Sequence, residues 1–337
     1  MIRAAIVGIG RWGRTLVGAV QDKSAALRFT AGHNRTRAHA ESFCAEHGIA
    51  LKDSLAEILA DPAIDAVVFA TPHSEHGAQV EAAAAAGKHV FMEKPFTLDR
   101  RSAARALDAA ARAGIVLAVA YPRRFHPAFR ELKARIDDGR LGVINHCHGE
   151  QNAPAGLFMD PRSWRALASE APAGAMTASG VHNLDAMIGL FGPIDEVYAT
   201  SRRRAVGYDA EDTTSVMLGF AAGMSASLLC CIATAVGYRL AVFGSKGCGE
   251  LLTPQLDFHF TPVPDAMPAG RHAQAAPEVI EHRGFNALLA ELDAFAAAIR
   301  GEAAYPIPAD EVLHGVAAFE AIVQSAATRR AVKVARE

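Results

Sequence analysis

The sequence contains no apolar run approaching the roughly 20 residues that a membrane-spanning helix requires. Its alanine-rich tract, 81–87, is far too short. Positive charge is not in surplus either, because 34 Lys and Arg stand against 36 Asp and Glu. That balance offers nucleic acid no electrostatic footprint, so neither nucleic acid nor membrane is an expected partner. The one basic cluster, Arg202-Arg203-Arg204, reads as a solvated strand end. Cysteine is scarce: Cys44, Cys147, Cys230, Cys231 and Cys248 are odd in number and include no C-x-x-C pair. Reduced thiols in a cytoplasmic protein fit that usage better than a disulfide framework. A strand-like run begins at Ile2 with no charged leader or small-residue cleavage site before it, which points away from export. The G-x-S-x-G elbow of serine hydrolases is missing. No convincing third ligand accompanies His73 with His76 or His146 with His148, so no metal is expected, and Cys44 with His47 reads as packing.

What is present suffices for two domains: 337 residues, 51% hydrophobic and 21% charged. Residues 1–122 alternate β-branched runs near 2–7, 27–32, 66–70, 89–92 and 115–120 with helical patterns near 14–25, 36–47, 74–86 and 98–113. Such alternation specifies an α/β fold, a doubly wound parallel sheet of Rossmann type. The run 66–70 is apolar throughout, as a strand buried on both faces should be. From 123 to 337 the pattern changes. A helix over 127–138 precedes strand-like runs at 143–151, 196–202, 213–220, 224–232 and 238–243, with hairpin-type turns at 221–223 and 244–247. This half is expected to be a C-terminal α/β domain on a large, mainly antiparallel open sheet, with helices near 284–300 and 309–329. The Pro- and Ala-rich stretch 261–277 is the expected mobile loop.

Gly8-Ile9-Gly10-Arg11-Trp12-Gly13 directly follows the first strand and directly precedes a helix. In that setting the first glycine allows a tight turn, the second lets backbone approach a pyrophosphate, and the third lets helix and strand pack closely. About 20 residues on, an NAD site usually presents an acid to the adenosine ribose. Here the chain reads Gly32-His33-Asn34-Arg35-Thr36-Arg37, without a carboxylate. A 2′-phosphate would meet no repulsion and would find Asn34, Arg35 and Arg37, so the reading prefers NADP, with NAD as the other choice.

Thr71-Pro72-His73-Ser74-Glu75-His76 follows the 66–70 strand and opens a helix, with Ser74 or Thr71 as its expected cap; Phe91-Met92-Glu93-Lys94-Pro95 ends the next strand. Together with the glycine loop, Arg123-Arg124-Phe125, Trp164-Arg165 and Gly180-Val181-His182-x-x-Asp185, these segments resemble the Gfo/Idh/MocA family, which includes glucose-fructose oxidoreductase and inositol dehydrogenase. The resemblance spans the chain, resting on architecture more than motifs after about residue 195. It implies an NAD(P)-dependent dehydrogenase or reductase moving hydride between nicotinamide and a secondary hydroxyl or ketone of a sugar, inositol or related cyclic polyol. It also implies that Lys94, joined to Pro95 by a bond that is usually cis, faces nicotinamide and substrate, and that His182 accepts or donates the proton. Thr71, Pro72, His76 and Glu93 fall to the cofactor, and Arg123, Trp164, Arg165 and Asp185 to the substrate. A homodimer or homotetramer is expected through the open sheet.

The chemistry is coherent on its own terms. Alcohol oxidation needs a base, for which imidazole titrates in the right range. An ammonium beside the reacting oxygen stabilises alkoxide character. If residues 177–191 are helical, Val181, Leu184, Ile188 and Phe191 form an apolar stripe while His182 and Asp185 share an adjoining face. Two departures stand out. Ala178 occupies the position, four before the histidine, where the family often has aspartate, leaving Thr177, Ser179 or Asp185 as substitutes, or a larger share of proton transfer for Lys94; Pro122 replaces a frequent asparagine. Two rival readings follow: glycoside cleavage or elimination without net redox change, on a tightly bound nicotinamide, and a catalytically silent NAD(P)-binding sensor.

Overall fold

The computed structural model describes residues 1–252, 256–264 and 275–336. Its contacts divide the chain into two units, Met1–Pro122 with Asn286–Val316, and Arg123–Phe285 with Ala317–Glu337. The first break falls where the sequence pattern changes. The return of 286–316 to the first unit differs from the expected simple division at 122.

In the first unit the chain runs β1 (Ile2–Val7), α1 (Arg11–Val20), β2 (Leu27–His33), α2 (Glu41–Glu46), β3 (Ala50–Leu51), α3 (Leu55–Ala60), β4 (Ala66–Phe69), α4 (His76–Ala85), β5 (His89–Met92), α5 (Arg100–Ala113) and β6 (Leu117–Val119). The strands are parallel in the order β3-β2-β1-β4-β5-β6. Connections leave β1 and β4 in opposite directions, which makes their carboxyl ends a topological switch point. β4 is buried at every residue. Local chemistry sets the helix ends: the Asp99 side chain accepts from Ser102 N at 2.8 Å to start α5, and left-handed Gly114 stops it. The cap position of the turn before α4 is Pro72, not Thr71 or Ser74, and it makes no side-chain cap bond.

The second unit contains α6 (Pro127–Asp137), β7 (Ile144–Asn152), α7 (Val181–Phe191), β8 (Ile194–Arg202), β9 (Thr213–Phe220), β10 (Ser225–Cys231), β11 (Gly237–Gly244), β12 (Gly247–Leu252), β13 (Asp257–Pro262) and β14 (Glu278–Ile280). After α8 (Ala287–Ile299) and α9 (Ala309–Thr328), β15 (Val332–Lys333) pairs with β8. The nine strands lie in the order β14-β13-β12-β11-β7-β10-β9-β8-β15. Only β10 with β7 is parallel among these pairs, so the sheet is mixed and mostly antiparallel. The turns at 221–223 and 244–247 do close hairpins. On β9, Thr214, Val216, Leu218 and Phe220 are buried while Ser215 and Met217 are exposed, the period of a sheet with one covered face. Of the expected loop 261–277, residues 265–274 lie outside the described residues, and Thr261 and Pro262 end β13.

α8 joins the first unit for a hydrophobic reason. Leu292, Phe295 and Ala296 are fully buried in the core that contains Ile6, Leu16, Phe29 and Phe91, and burying a side chain such as Phe295 contributes about 1.5–3 kcal/mol. Glu291 Oε1 accepts from Tyr121 N at 2.5 Å and from the Tyr305 hydroxyl at 3.3 Å, satisfying that carboxylate oxygen inside.

Candidate functional site

In the first unit the switch point gathers the glycine loop and the residues after β4 and β5. Gly8 has φ +92°, and a Cβ there would lie 2.5 Å from the Ala70 carbonyl oxygen, so only glycine serves. A Cβ on Gly13 would collide with the Gly8 carbonyl oxygen, whereas on Gly10 it would meet nothing within 4 Å. No side chain caps the start of α1 at Gly10, and its first turn, which contains Arg11 and Trp12, has no acid. Open space before amide groups and the positive end of a helix dipole fits the pyrophosphate of a dinucleotide.

Around the end of β2 the polar groups are largely engaged. Asn34 Oδ1 accepts from Ile9 N at 3.0 Å and its Nδ2 donates to Thr36 O at 2.8 Å, so this amide shapes the glycine loop. Arg37 meets Asp53 at 2.5 Å and Glu41 at 3.2 Å. Arg35 is exposed and forms no ion pair among the described residues.

After β4, the Thr71 hydroxyl donates to Gln79 Oε1 at 2.6 Å. His76 is fully buried, with Nδ1 2.9 Å from Pro95 O and Nε2 3.3 Å from Thr71 O. Its ring therefore ties the turn after β4 to the turn after β5. There Lys94 and Pro95 are joined by a cis peptide. Glu93, 6% exposed, accepts from Trp12 Nε1 at 2.5 Å through one oxygen and from Lys94 N at 3.2 Å through the other. Lys94 is half-buried.

In the second unit a short 3₁₀ turn ending at Phe125 supplies two arginines with different fates. Arg124 donates to both oxygens of Asp185 on α7, at 2.8 and 3.0 Å, with both side chains 8% exposed. Gly189, one turn further along α7, makes room for that guanidinium, since a Cβ would collide with it. The Arg123 guanidinium instead lies 3.7 Å from the centre of the Tyr238 ring, and its buried Nη1 has no hydrogen-bond partner among the described residues. Burial holds the Arg123 pKa down and pushes the Tyr238 phenol up.

α7 is preceded by a π-helical turn, Met176–Gly180, so the expected helix over 177–191 has two parts. The Thr177 hydroxyl donates to Pro172 O, and Ser179 Oγ donates to Ala175 O at 2.9 Å. Both hydroxyls thus face backbone carbonyls, and Ala178 is exposed. Val181, Leu184 and Ile188 are buried as the stripe requires. A Cβ on Gly180 would collide with Cys230 Sγ, which sets the start of α7 against β10; half-buried His182 lies two residues on. On β7, Gln151 pairs across to both Cys230 and Tyr238, and its Oε1 is buried with no partner among the described residues. Further away in sequence, the Arg165 guanidinium lies 4.0 Å over the Trp164 ring and covers that face of the indole.

Gln151 and Tyr238 carry no role in the sequence reading, and Arg124 enters it only as part of Arg123-Arg124-Phe125. Gln151 did carry a signal, being polar at the strand position that continues the buried row Cys147 and Gly149.

A doubly wound parallel sheet with an uncapped glycine loop at its switch point is the architecture of a dinucleotide-binding unit. Family models agree over most of the chain: the one described as "Oxidoreductase family, NAD-binding Rossmann fold" matches residues 2–121, and "GFO/IDH/MocA C-terminal domain" matches 129–250. The chain belongs to the Gfo/Idh/MocA family. Inositol 2-dehydrogenase of Rhizobium meliloti is 28% identical over 99% of both chains. The scyllo-inositol 2-dehydrogenase (NAD(+)) of Bacillus subtilis is 33% identical, over about half of each chain, 47%. Among solved structures, a putative myo-inositol dehydrogenase from Sinorhizobium meliloti has a TM-score of 0.80 at 27% identity, covering 99% of this chain and 100% of that one. Levoglucosan dehydrogenase in complex with NADH and L-sorbose shares the fold, with a TM-score of 0.87 at 21% identity over 100% of this chain and 99% of that one.

Proposed function

We propose that this chain transfers hydride reversibly between a nicotinamide dinucleotide and a secondary hydroxyl or ketone of a sugar, inositol or related cyclic polyol. The observation that carries this reading is the end-to-end likeness to inositol 2-dehydrogenase, joined to the Glu93-Lys94-Pro95 turn beside the glycine loop. Bound nicotinamide supplies the hydride acceptor or donor. Lys94 holds the substrate oxygen by a charge-assisted hydrogen bond and favours alkoxide character. His182 takes the hydroxyl proton in oxidation and returns it in reduction. With Thr177 and Ser179 bonded to carbonyls, Lys94 carries more of the proton transfer than it would beside an aspartate at 178. Arg123, Trp164 and Arg165 contact the substrate, while Asp185 positions α7 through Arg124.

For the cofactor, the missing carboxylate at the end of β2 supports NADP, with Arg35 the guanidinium open to a 2′-phosphate. Five free cysteines support a cytoplasmic setting. Tyr198 and Met217, 43% and 49% exposed on paired strands, support self-association through the open sheet face. The test is a panel of sugars, inositols and keto-sugars, assayed with both cofactors in both directions by nicotinamide absorbance. Substrate consumption without any absorbance change would contradict hydride transfer and favour a non-redox outcome.

A further inference from the structure

Arg123 is the unusual charge of the second unit. Its neighbour Arg124 is neutralised by a bidentate carboxylate, yet no carboxylate among the described residues pairs with Arg123. The groups near its guanidinium include an aromatic face and a thiol, Tyr238 and Cys230, and the His126 imidazole, none of which is an acid. Burial pushes the phenol and thiol pKa values up, so neither supplies a negative charge near neutral pH. A cation half-withdrawn from water, with one nitrogen fully closed off and no carboxylate beside it, is costly, and proteins keep one where a ligand completes the pair. Gln151 shares its neighbours: its strand partners on either side are the same two residues, Cys230 and Tyr238, and its buried Oε1 has no donor among the described residues. An unpartnered planar donor and an unpartnered amide acceptor together specify an anion next to a hydroxyl.

We infer that the substrate is an acidic sugar or polyol, such as a uronic acid, whose carboxylate is received by Arg123 and whose adjacent hydroxyl donates to Gln151. The inference rests on the reading of the second unit as the substrate-binding part, and it narrows that reading from polyols in general to carboxylated ones. The fork of Arg123 accommodates a carboxylate in its plane while Tyr238 supports its other face. Neutral inositols leave the cation uncompensated and bind more weakly.

The probes are D-glucuronate and D-galacturonate, each beside its uncharged carboxamide and its parent hexose. Each is titrated calorimetrically into the nicotinamide-loaded protein, and absorbance is followed in parallel. At least one acid is expected to bind about 10-fold or more tightly than its amide, as an ionic hydrogen-bonded pair provides. In Arg123→Gln that advantage collapses to about 2-fold, a difference near the limit of a neutral contact. Equal binding of acid and amide across the panel, no binding by any acid, or an acid preference that persists in Arg123→Gln overturns the inference. Should Arg123→Gln not fold, the acid-to-amide ratio in the unaltered protein decides alone. Acid-selective binding without any absorbance change would leave this inference standing and count against hydride transfer. Turnover of neutral polyols without acid preference would do the reverse.

Discussion

Trp12 donates its indole N–H to the Glu93 carboxylate at 2.5 Å, joining the first turn of α1 to the residue that precedes Lys94. The other carboxylate oxygen receives the Lys94 amide at 3.2 Å, so one buried side chain connects the glycine loop to the turn that carries the proposed functional lysine. Trp12→Phe removes this donor from a buried carboxylate, at about 1–3 kcal/mol. Dinucleotide binding is expected to weaken about 10-fold, measured by enhancement of the cofactor's own fluorescence, together with a lower Tm. Unchanged values of both would show that the contact is incidental.

Arg124, Asp185 and Gly189 form a second device. Arg124→Met removes the bidentate partner of a buried carboxylate and should cost about 3–5 kcal/mol in urea unfolding, whereas Arg124→Met with Asp185→Leu should recover most of that loss. Gly189→Ala is expected to be severe alone and mild in the Arg124→Ala background, because the clash is with the guanidinium. Simple additivity of Gly189→Ala and Arg124→Ala would refute that explanation.

Acid sensitivity has an identifiable source in Asp212, which is 1% exposed. Burial acts to raise its pKa, but bonds from Ala205 N, the Thr213 hydroxyl, Arg204 N and Val206 N outweigh it and hold the carboxyl below its usual range. A carboxylate with a depressed folded-state pKa stabilises fully above its unfolded value of about 3.9, and that contribution is lost as pH falls through the folded value. Asp212→Asn should therefore be less stable at neutral pH and show a shallower decline of unfolding free energy on acidification below about pH 4. A decline as steep as that of the unaltered protein would assign the sensitivity elsewhere.

The proposed preference for NADP rests on Arg35, since Arg37 already faces Asp53 and Glu41. Arg35→Ala should raise the Kd for NADPH about 5- to 10-fold and leave that for NADH nearly unchanged, the signature of a lost phosphate contact. Equal loss for both cofactors, or tighter NADH binding by the unaltered protein, contradicts an NADP preference.

Much of the first unit is legible because its signals are local. A strand, a glycine loop and a helix follow one another without interruption from Ile2 to Val20, and Lys94 sits at a strand end that periodicity alone locates. The contacts that fix these residues are not local. Trp12 and Glu93 are 81 positions apart, Arg124 and Asp185 are 61 apart, and no pattern of spacing joins them. Of Arg37's two partners, Glu41 lies one helical turn on, whereas Asp53 lies beyond an intervening helix and strand, where no local pattern announces it. The assignment of α8 to the first unit depends on Phe295 meeting Phe91, a pairing that hydrophobicity permits but does not specify. β12 to β14 are faint in the sequence for a different reason: their mixed polar and apolar order, as in Asp257–Pro262, gives a weak two-residue period.

Lys94 is the residue proposed to hold the reacting oxygen. Lys94→Ala, with nucleotide binding and Tm checked, should lower kcat for the best substrate of the sugar and polyol panel by about 10²–10⁴-fold while the Kd for the cofactor changes little. Turnover in Lys94→Ala equal to that of the unaltered protein would contradict it.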